Sequence, residues 1–326
     1  LNIHPDDAIL SGPERGMPQT RFLRQSTYPR ASTFHFVNPF LMRTSLTVIA
    51  CSSILASVQA ADSEPIDLSK VDKSGYHLFN PTPVVLLRDL STDRPDKTES
   101  AYTVDAGHFQ VELDFANYAY DREGDIRSEA WSLAPMNLKV GLHNQVDLQL
   151  VLEPQVKARI RDEATGFVRE EAGFGDLTSR LKINLWGNDG GPTALALMPF
   201  VKWPLPESEV RNGRIEGGLI VPFAMALPGG WSLGAMAEFD AIDDGSNGYD
   251  LEFVNTLAVG HDITGPLAGY MELISVAAPD SAWQGLIGLG LTYGLSDHLQ
   301  LDGGCNFGIT RSAPDVNPFM GISWRY

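Results

Sequence analysis

Cysteine is scarce in this chain. Only Cys51 and Cys305 occur, and neither sits in a CxxC pair or at zinc-ligand spacing from histidines. Once Cys51 is removed with an export signal, a single thiol remains, so no internal disulfide can form. Positive charge is scarce too. There are 24 Lys and Arg against 41 Asp and Glu, a net charge of −17. Residues 1–60 hold five Arg and three acids, so residues 61–326 carry 19 basic and 38 acidic side chains. A surface that tracks a phosphate backbone needs the opposite sign, so nucleic acid is not an expected partner. Long apolar runs are few. At 43% hydrophobic and 20% charged residues, the chain is too polar for a polytopic helical membrane protein. Its 9% aromatic content is high for a disordered one. What is plentiful is Gly (31) and Pro (21), the residues of turns. A length of 326 residues fits two average soluble domains or one large β architecture.

The N-terminal region reads as an export signal. Met42-Arg43 is followed by eighteen uncharged residues, Thr44 to Ala61, and Leu46 to Ala56 is mostly apolar. Val58-Gln59-Ala60 places small residues at −3 and −1 of a cleavage site before Ala61-Asp62. The expectation is a signal peptide over 42–60, cut after Ala60. Residues 1–41 are then a non-native upstream extension, from a start codon placed too early. A lipoprotein box at Val48-Ile49-Ala50-Cys51 is the rival, but its apolar segment is very short when counted from Met42. A permanent helical anchor needs about 20 apolar residues, which this segment barely approaches.

From Gly107 onward the period is two. Phe109, Val111, Leu113 and Phe115 alternate with Gln110, Glu112 and Asp114. Met136 to Leu142, Val146 to Glu153 and Arg180 to Leu185 alternate in the same way. More apolar segments follow, at about 193–203, 216–227, 231–239, 249–259, 267–275, 283–293, 299–309 and 318–326, giving twelve strands. Tight turns are expected at 143–145, 187–191, 228–230, 261–266 and 294–298. Longer polar loops are expected near 120–128, 154–175, 204–215, 240–248, 276–282 and 310–317. Short turns at one rim and long loops at the other are the habit of an outer-membrane barrel. Gly217 to Ala237 is twenty-one residues without a charge and could pass for a spanning helix. It holds five Gly and Pro222, with Pro228-Gly229-Gly230 at its centre. It therefore reads as two strands and a turn.

Alternation alone does not separate a soluble sandwich, apolar inside, from a membrane barrel, apolar outside. The export signal, the turn asymmetry and the aromatic strand ends decide together. Tyr118, Tyr120, Trp131, Trp186, Trp203, Trp231, Tyr249, Tyr270, Trp283, Tyr293, Trp324 and Tyr326 fall where interfacial girdles are expected. Met320, Ile322, Trp324 and Tyr326 alternate and end the chain on an aromatic residue. This resembles the terminal-strand signal read by the barrel assembly machinery. The expected fold is all-β, a transmembrane antiparallel up-and-down barrel of about 12 strands. Short turns would be periplasmic and longer loops extracellular. Residues 61–106 would form a periplasmic segment or lumen plug, and 107–326 the outer-membrane barrel.

Several segments support a family resemblance. They are Leu90 to Ser100, Tyr102 to Glu112, Asn137 to Glu153, Gly173-Phe174-Gly175-Asp176-Leu177 and Asn317-Pro318-Phe319 to Tyr326. Together they resemble a family of bacterial outer-membrane barrel transporters linked to the meta-cleavage pathway of phenol degradation. The likeness spans about residues 90–326. Ala101 stands where the family pattern has proline. The resemblance implies location and fold, and names no residue-level mechanism.

The inward faces supply candidate pore-lining residues: Glu112, Asp114, Lys139, Asp147, Gln149, Glu153, Arg180, Lys182, Glu238, Glu252 and Arg325. They could select solutes by charge. The plainer reading is a cross-strand ion-pair network. The middle strands carry few inward charges, mainly Lys202, Glu238 and Glu252, so part of the lumen should be apolar. In the segment before the barrel, Asp93-Arg94-Pro95-Asp96 tilts the reading toward contact with the lumen.

His108, His143, His261 and His298 fall at the periplasmic rim. Turn-capping outweighs a metal or pH-sensing role there, since no Cys or carboxylate stands at ligand spacing. Asp240, Asp243, Asp244 and Asp250 lack EF-hand spacing and read as solvated acid. Ser296-Asp297-His298 is contiguous and cannot arrange itself as a triad. No GxSxG occurs, and Gly288-Leu289-Gly290 lacks the third glycine of a nucleotide loop. No catalytic residue, metal site or cofactor is expected. The expected function is passive uptake of small molecules, aromatic or hydrophobic ones among them. Outer-membrane lipids, the barrel assembly machinery and a small solute are the expected partners. The alternatives are a lipid-modifying enzyme and a structural barrel with a sealed lumen. An enzyme would need a rim Ser-His pair that the sequence does not reveal.

Overall fold

Period-two alternation becomes fifteen strand segments in the computed structural model. The structure describes residues 67–205, 214–245, 248–279 and 281–326. The export signal, its cleavage site and the lipoprotein box lie outside the described residues. The segments are β1 (Phe109–Glu123), β2 (Ile126–Leu133), β3 (Met136–His143), β4 (Val146–Leu152) and β5 (Gln155–Asp162). Next come β6 (Val168–Gly173), β7 (Leu177–Trp186), β8 (Thr193–Trp203), β9 (Glu216–Leu227) and β10 (Trp231–Asp243). The last are β11 (Tyr249–Thr264), β12 (Leu267–Ala277), β13 (Gln284–Ser296), β14 (Leu299–Gly308) and β15 (Val316–Arg325). All pairings are antiparallel, and the ring closes through β1 and β15. It runs β1-β3-β4-β7-β8 and onward in sequence order to β15, so the barrel has twelve staves.

The three extra segments are the upper halves of broken staves. The lower half of β1 pairs with β3 and its upper half with β2, while β4 pairs with β3 and β5 with β2. β6 likewise extends the stave of β7. Two of the breaks fall at Ala134-Pro135 and Glu153-Pro154, where proline has no N–H to give the ladder. The third falls at Phe174-Gly175-Asp176. The expected loops near 120–128 and 154–175 are therefore corrected. Most of their residues are strand, and β1 turns into β2 over Gly124-Asp125. In β2 and β5 the outward side chains are mostly charged and the inward ones small or aliphatic, the opposite of the apolar-outside code below, so hydropathy hides them. A bulge at Phe115 also ends the simple alternation of β1, because Asp114 pairs with Gly321 but Ala116 with Met320.

Gly217 to Ala237 is the β9–β10 hairpin. Leu150, Leu185, Leu257, Leu273, Leu289 and Leu291 stand exposed on the outer face. An apolar exterior of this extent needs lipid against it. Trp186, Trp231, Tyr293 and Trp324 stand exposed at one rim, and Trp131, Trp203, Tyr249 and Trp283 at the other. Tyr270 departs from the expected girdle. It shares the inward face of Glu272 and packs against Gly290 and Gly304.

Candidate functional site

Residues 67–106 form no strand. They enter from the short-turn rim, climb inside the barrel and return beside β3. At the rim, Leu78 N–H donates to Leu142 O (3.0 Å) and Thr82 N–H to Ala106 O (2.9 Å). The return is possible because Gly141 has no side chain. A Cβ there would lie 2.1 Å from Asp105 O.

The tip of this segment meets the inward carboxylates and ammonium groups. Asp93 lies between Lys139 and Lys182, with Nζ of Lys182 2.6 Å from Oδ1. Its own N–H donates to Glu112 (3.1 Å), and Lys139 also pairs with Glu112. Arg94 bridges Asp114 and Asp302, each at 2.6 Å. Glu99 takes Arg180 at 2.6 Å. Thr98 N–H donates to Glu272 (2.8 Å), as does Lys97 N–H (2.9 Å). Val104 N–H donates to Asp147 (2.9 Å). Taking ions from water costs several kcal/mol each, so such a cluster is tolerable only when every charge meets a partner.

A second cluster closes the rim. Asp105 and Asp189 face Lys73 and Arg88, with Lys73 Nζ 2.8 Å and Arg88 Nη1 2.9 Å from Asp189. Arg325 donates to Arg88 O (2.7 Å). In Asp189, burial opposes the charge. The Lys73 ammonium, the Asn144 amide and Arg88 outweigh it and hold the carboxyl below its usual range.

The structure brings most of the eleven sequence candidates together. Glu112, Asp114, Lys139, Asp147, Gln149, Lys182 and Arg325 are buried on the inner wall, and Arg180 is nearly so. Most of these charges meet the N-terminal segment rather than one another, so the ion pairs are less cross-strand than expected. Glu153 is buried at the break of its stave, above Asp147 and Gln149 and against Gly175. Glu238 and Glu252 sit on β10 and β11, with Lys97 in electrostatic reach of Glu238. Met320, Trp324 and Tyr326 are exposed on the outer face, and Ile322 shares that face half-buried. Asp302 and Glu272 were missed. They lie in glycine-rich or apolar stretches where a lone acid carries little signal. Asp105 and Arg88 were missed because nothing local marks a loop residue as folded inside a barrel.

The inner faces of β8 to β12 carry an apolar patch beside the buried acids Glu216, Glu238, Glu252 and Glu272. Met198, Ile220, Met236 and Val254 pack together with Phe200 and Val276. Ile274 and Leu286 continue the layer with Ala313.

Two of the rim histidines hold the segment. His108 Nε2 donates to Thr82 O (2.8 Å) and His143 Nε2 to Ser74 O (3.1 Å). His298 meets Arg325, and His261 packs on Trp231. In the acidic loop, Asp243 and Asp244 cap nearby N–H groups. Among the described residues, no cluster of metal-ligating side chains occurs.

A family model described as "Putative MetA-pathway of phenol degradation" matches residues 92–326. The chain belongs to that family. The match to this phenol-degradation family begins at Thr92, so it takes in the charged tip as well as the whole barrel. No curated protein matches the sequence. Among solved structures, the fold is similar to an outer membrane channel from Pseudomonas putida F1. The TM-score is 0.53 at 11% identity, covering 72% of this chain and all of that one. Lower similarity is found to the transport unit of the autotransporter AIDA-I from Escherichia coli, with TM-score 0.42, 10% identity, and coverage of 72% and 92%. The CymD monoaromatic hydrocarbon channel follows at TM-score 0.40 and 9% identity, with coverage of 67% and 87%.

Proposed function

We propose that this family member is an outer-membrane channel for passive uptake of small molecules, aromatic or hydrophobic ones among them. In this reading the signal over 42–60 is cleaved after Ala60. The barrel assembly machinery then reads Met320, Ile322, Trp324 and Tyr326, and outer-membrane lipid covers the leucine band. The short turns face the periplasm. Residues 61–106 act as a lumen plug, and the eleven inward residues set charge selection. The channel role of the Pseudomonas barrel supports the reading by analogy of fold.

One observation carries it. Inside a single barrel, the buried charges held by the plug lie beside an apolar patch built from Met198, Ile220, Val254, Phe200 and Val276. A solute with an aromatic ring and one polar group suits such a mixed surface better than a sugar does.

The test is swelling of liposomes carrying the refolded barrel, with phenol compared against a sugar of similar size. Phenol is expected to enter faster, and Ile220→Asp is expected to remove the preference. Equal rates for both solutes would defeat the proposed selectivity. An absence of single-channel conductance in planar bilayers would point to a sealed structural barrel. Lipid hydrolysis by the refolded protein would point to an enzyme.

A further inference from the structure

Above the Trp131 girdle, the upper sheet of β1, β2, β5 and β6 turns an unusual face outward. Trp131 and Leu133 are exposed while Ala130 and Ser132 are buried, so this face continues the lipid-facing one. Three rows cross it. The first is Tyr118, Trp131 and Lys157. Next come Tyr120, Glu129, Arg159 and Glu170. The third is Arg122, Arg127 and Arg161, directly opposite one another on three adjacent strands. Opposed residues on neighbouring strands stand about 5 Å apart at Cβ, where like charges repel. Five basic side chains thus gather on one outer patch of a chain whose net charge is −17.

Carboxylates offset only part of this. Arg122 pairs with Glu163 (2.7 Å) and Arg127 bends back to Glu129 (2.8 Å). Lys157 and Arg159 share Glu170 (3.3 and 3.2 Å). Arg127 also stacks on Tyr120, 5.3 Å from the ring centre. The guanidinium of Arg161 is exposed beside them.

We propose that the arginine row is a binding site for the phosphate groups of an outer-leaflet glycolipid. The rows rise by about 6–7 Å each, the spacing of two residues in a strand. The arginines therefore stand where headgroups begin, just above the aromatic belt that marks the interface. Guanidinium forks suit phosphate oxygens, and an anion between the three strands relieves their mutual repulsion. The inference rests on the membrane-barrel reading and adds a lipid class to it.

The test titrates the detergent-refolded full chain with diphosphoryl lipid A, with its dephosphorylated counterpart and with inorganic phosphate. Bound lipid is counted by native mass spectrometry. Electrophoretic heat-modifiability is checked first on every protein. Binding of diphosphoryl lipid A alone is expected, and Arg161→Gln is expected to weaken it about tenfold, the value of one charge-assisted contact. Arg127→Gln is the second variant, since Arg161→Gln alone removes no carboxylate partner. Equal binding of the dephosphorylated lipid, equal binding of inorganic phosphate, or unchanged affinity in both variants would overturn the site. A wild-type chain that shows no heat shift would instead overturn the barrel reading beneath it, so the two failures are distinguishable.

Discussion

Arg94 and Asp302 are 208 residues apart in sequence and joined by two parallel hydrogen bonds, Nη2 to Oδ1 at 2.6 Å and Nε to Oδ2 at 3.3 Å. Fork-on-fork contact of this kind fixes orientation as well as distance. It ties the tip of the N-terminal segment to β14, while Asp93 ties it to β3 and β7. The segment is thus held inside the lumen from several staves at once.

Arg94→Ala leaves Asp114 and Asp302 as inward carboxylates without their cation. Removing one partner of a buried pair costs about 3 kcal/mol or more. Single-channel conductance is expected to rise and selectivity to move toward cations. An unchanged current–voltage curve would show that this anchor does not hold the segment in place.

Gly141→Val tests the close approach beside β3. Any Cβ at this position meets the backbone of Asp105 and Val104. It points inward, so the barrel itself should form and keep its heat-modifiable mobility. The return of the segment should be displaced, and protease should cut within residues 67–106. Continued protection would contradict the geometry.

Acid should release the rim cluster late. The carboxyl of Asp189 is held below its usual range in the fold, so it adds stability above its unfolded pKa of about 3.9. That stability is lost as pH falls through the lower, folded value. Protease sensitivity of the segment should stay flat from pH 7 to 5 and rise only below about pH 4. Asp189→Asn should loosen the segment already at pH 7. A release midpoint near pH 6 would place control in the rim histidines instead.

Leu257→Arg tests the lipid-facing side. Leu257 is exposed on β11 between the inward Thr256 and Ala258. An arginine at mid-bilayer depth on a barrel wall costs about 2–4 kcal/mol. Urea titration of the barrel in vesicles measures the loss, and a cost under about 1 kcal/mol would place Leu257 away from the bilayer centre.

Much of the barrel was legible along the chain. From Phe109 to Leu113 and from Leu181 to Leu185, side chains alternate between lipid and lumen. That alternation survives because each neighbour sees a different solvent. The β9–β10 hairpin was legible for a different reason, because Pro228-Gly229-Gly230 breaks any helix. Where the outer solvent changes, the code changes with it. β2 and β5 rise past the interface, their outward side chains become mostly charged, and they read as loop.

Sequence alone settled that apolar and polar faces alternate through twelve staves, since the two solvents of a membrane barrel impose a period of two on every one. Only the tertiary structure decided what fills the lumen. Asp93 meets Lys139 and Lys182, and Arg94 meets Asp302, through contacts between residues far apart in the chain. No local pattern records such a meeting, because it depends on where closure of the ring brings each inward charge.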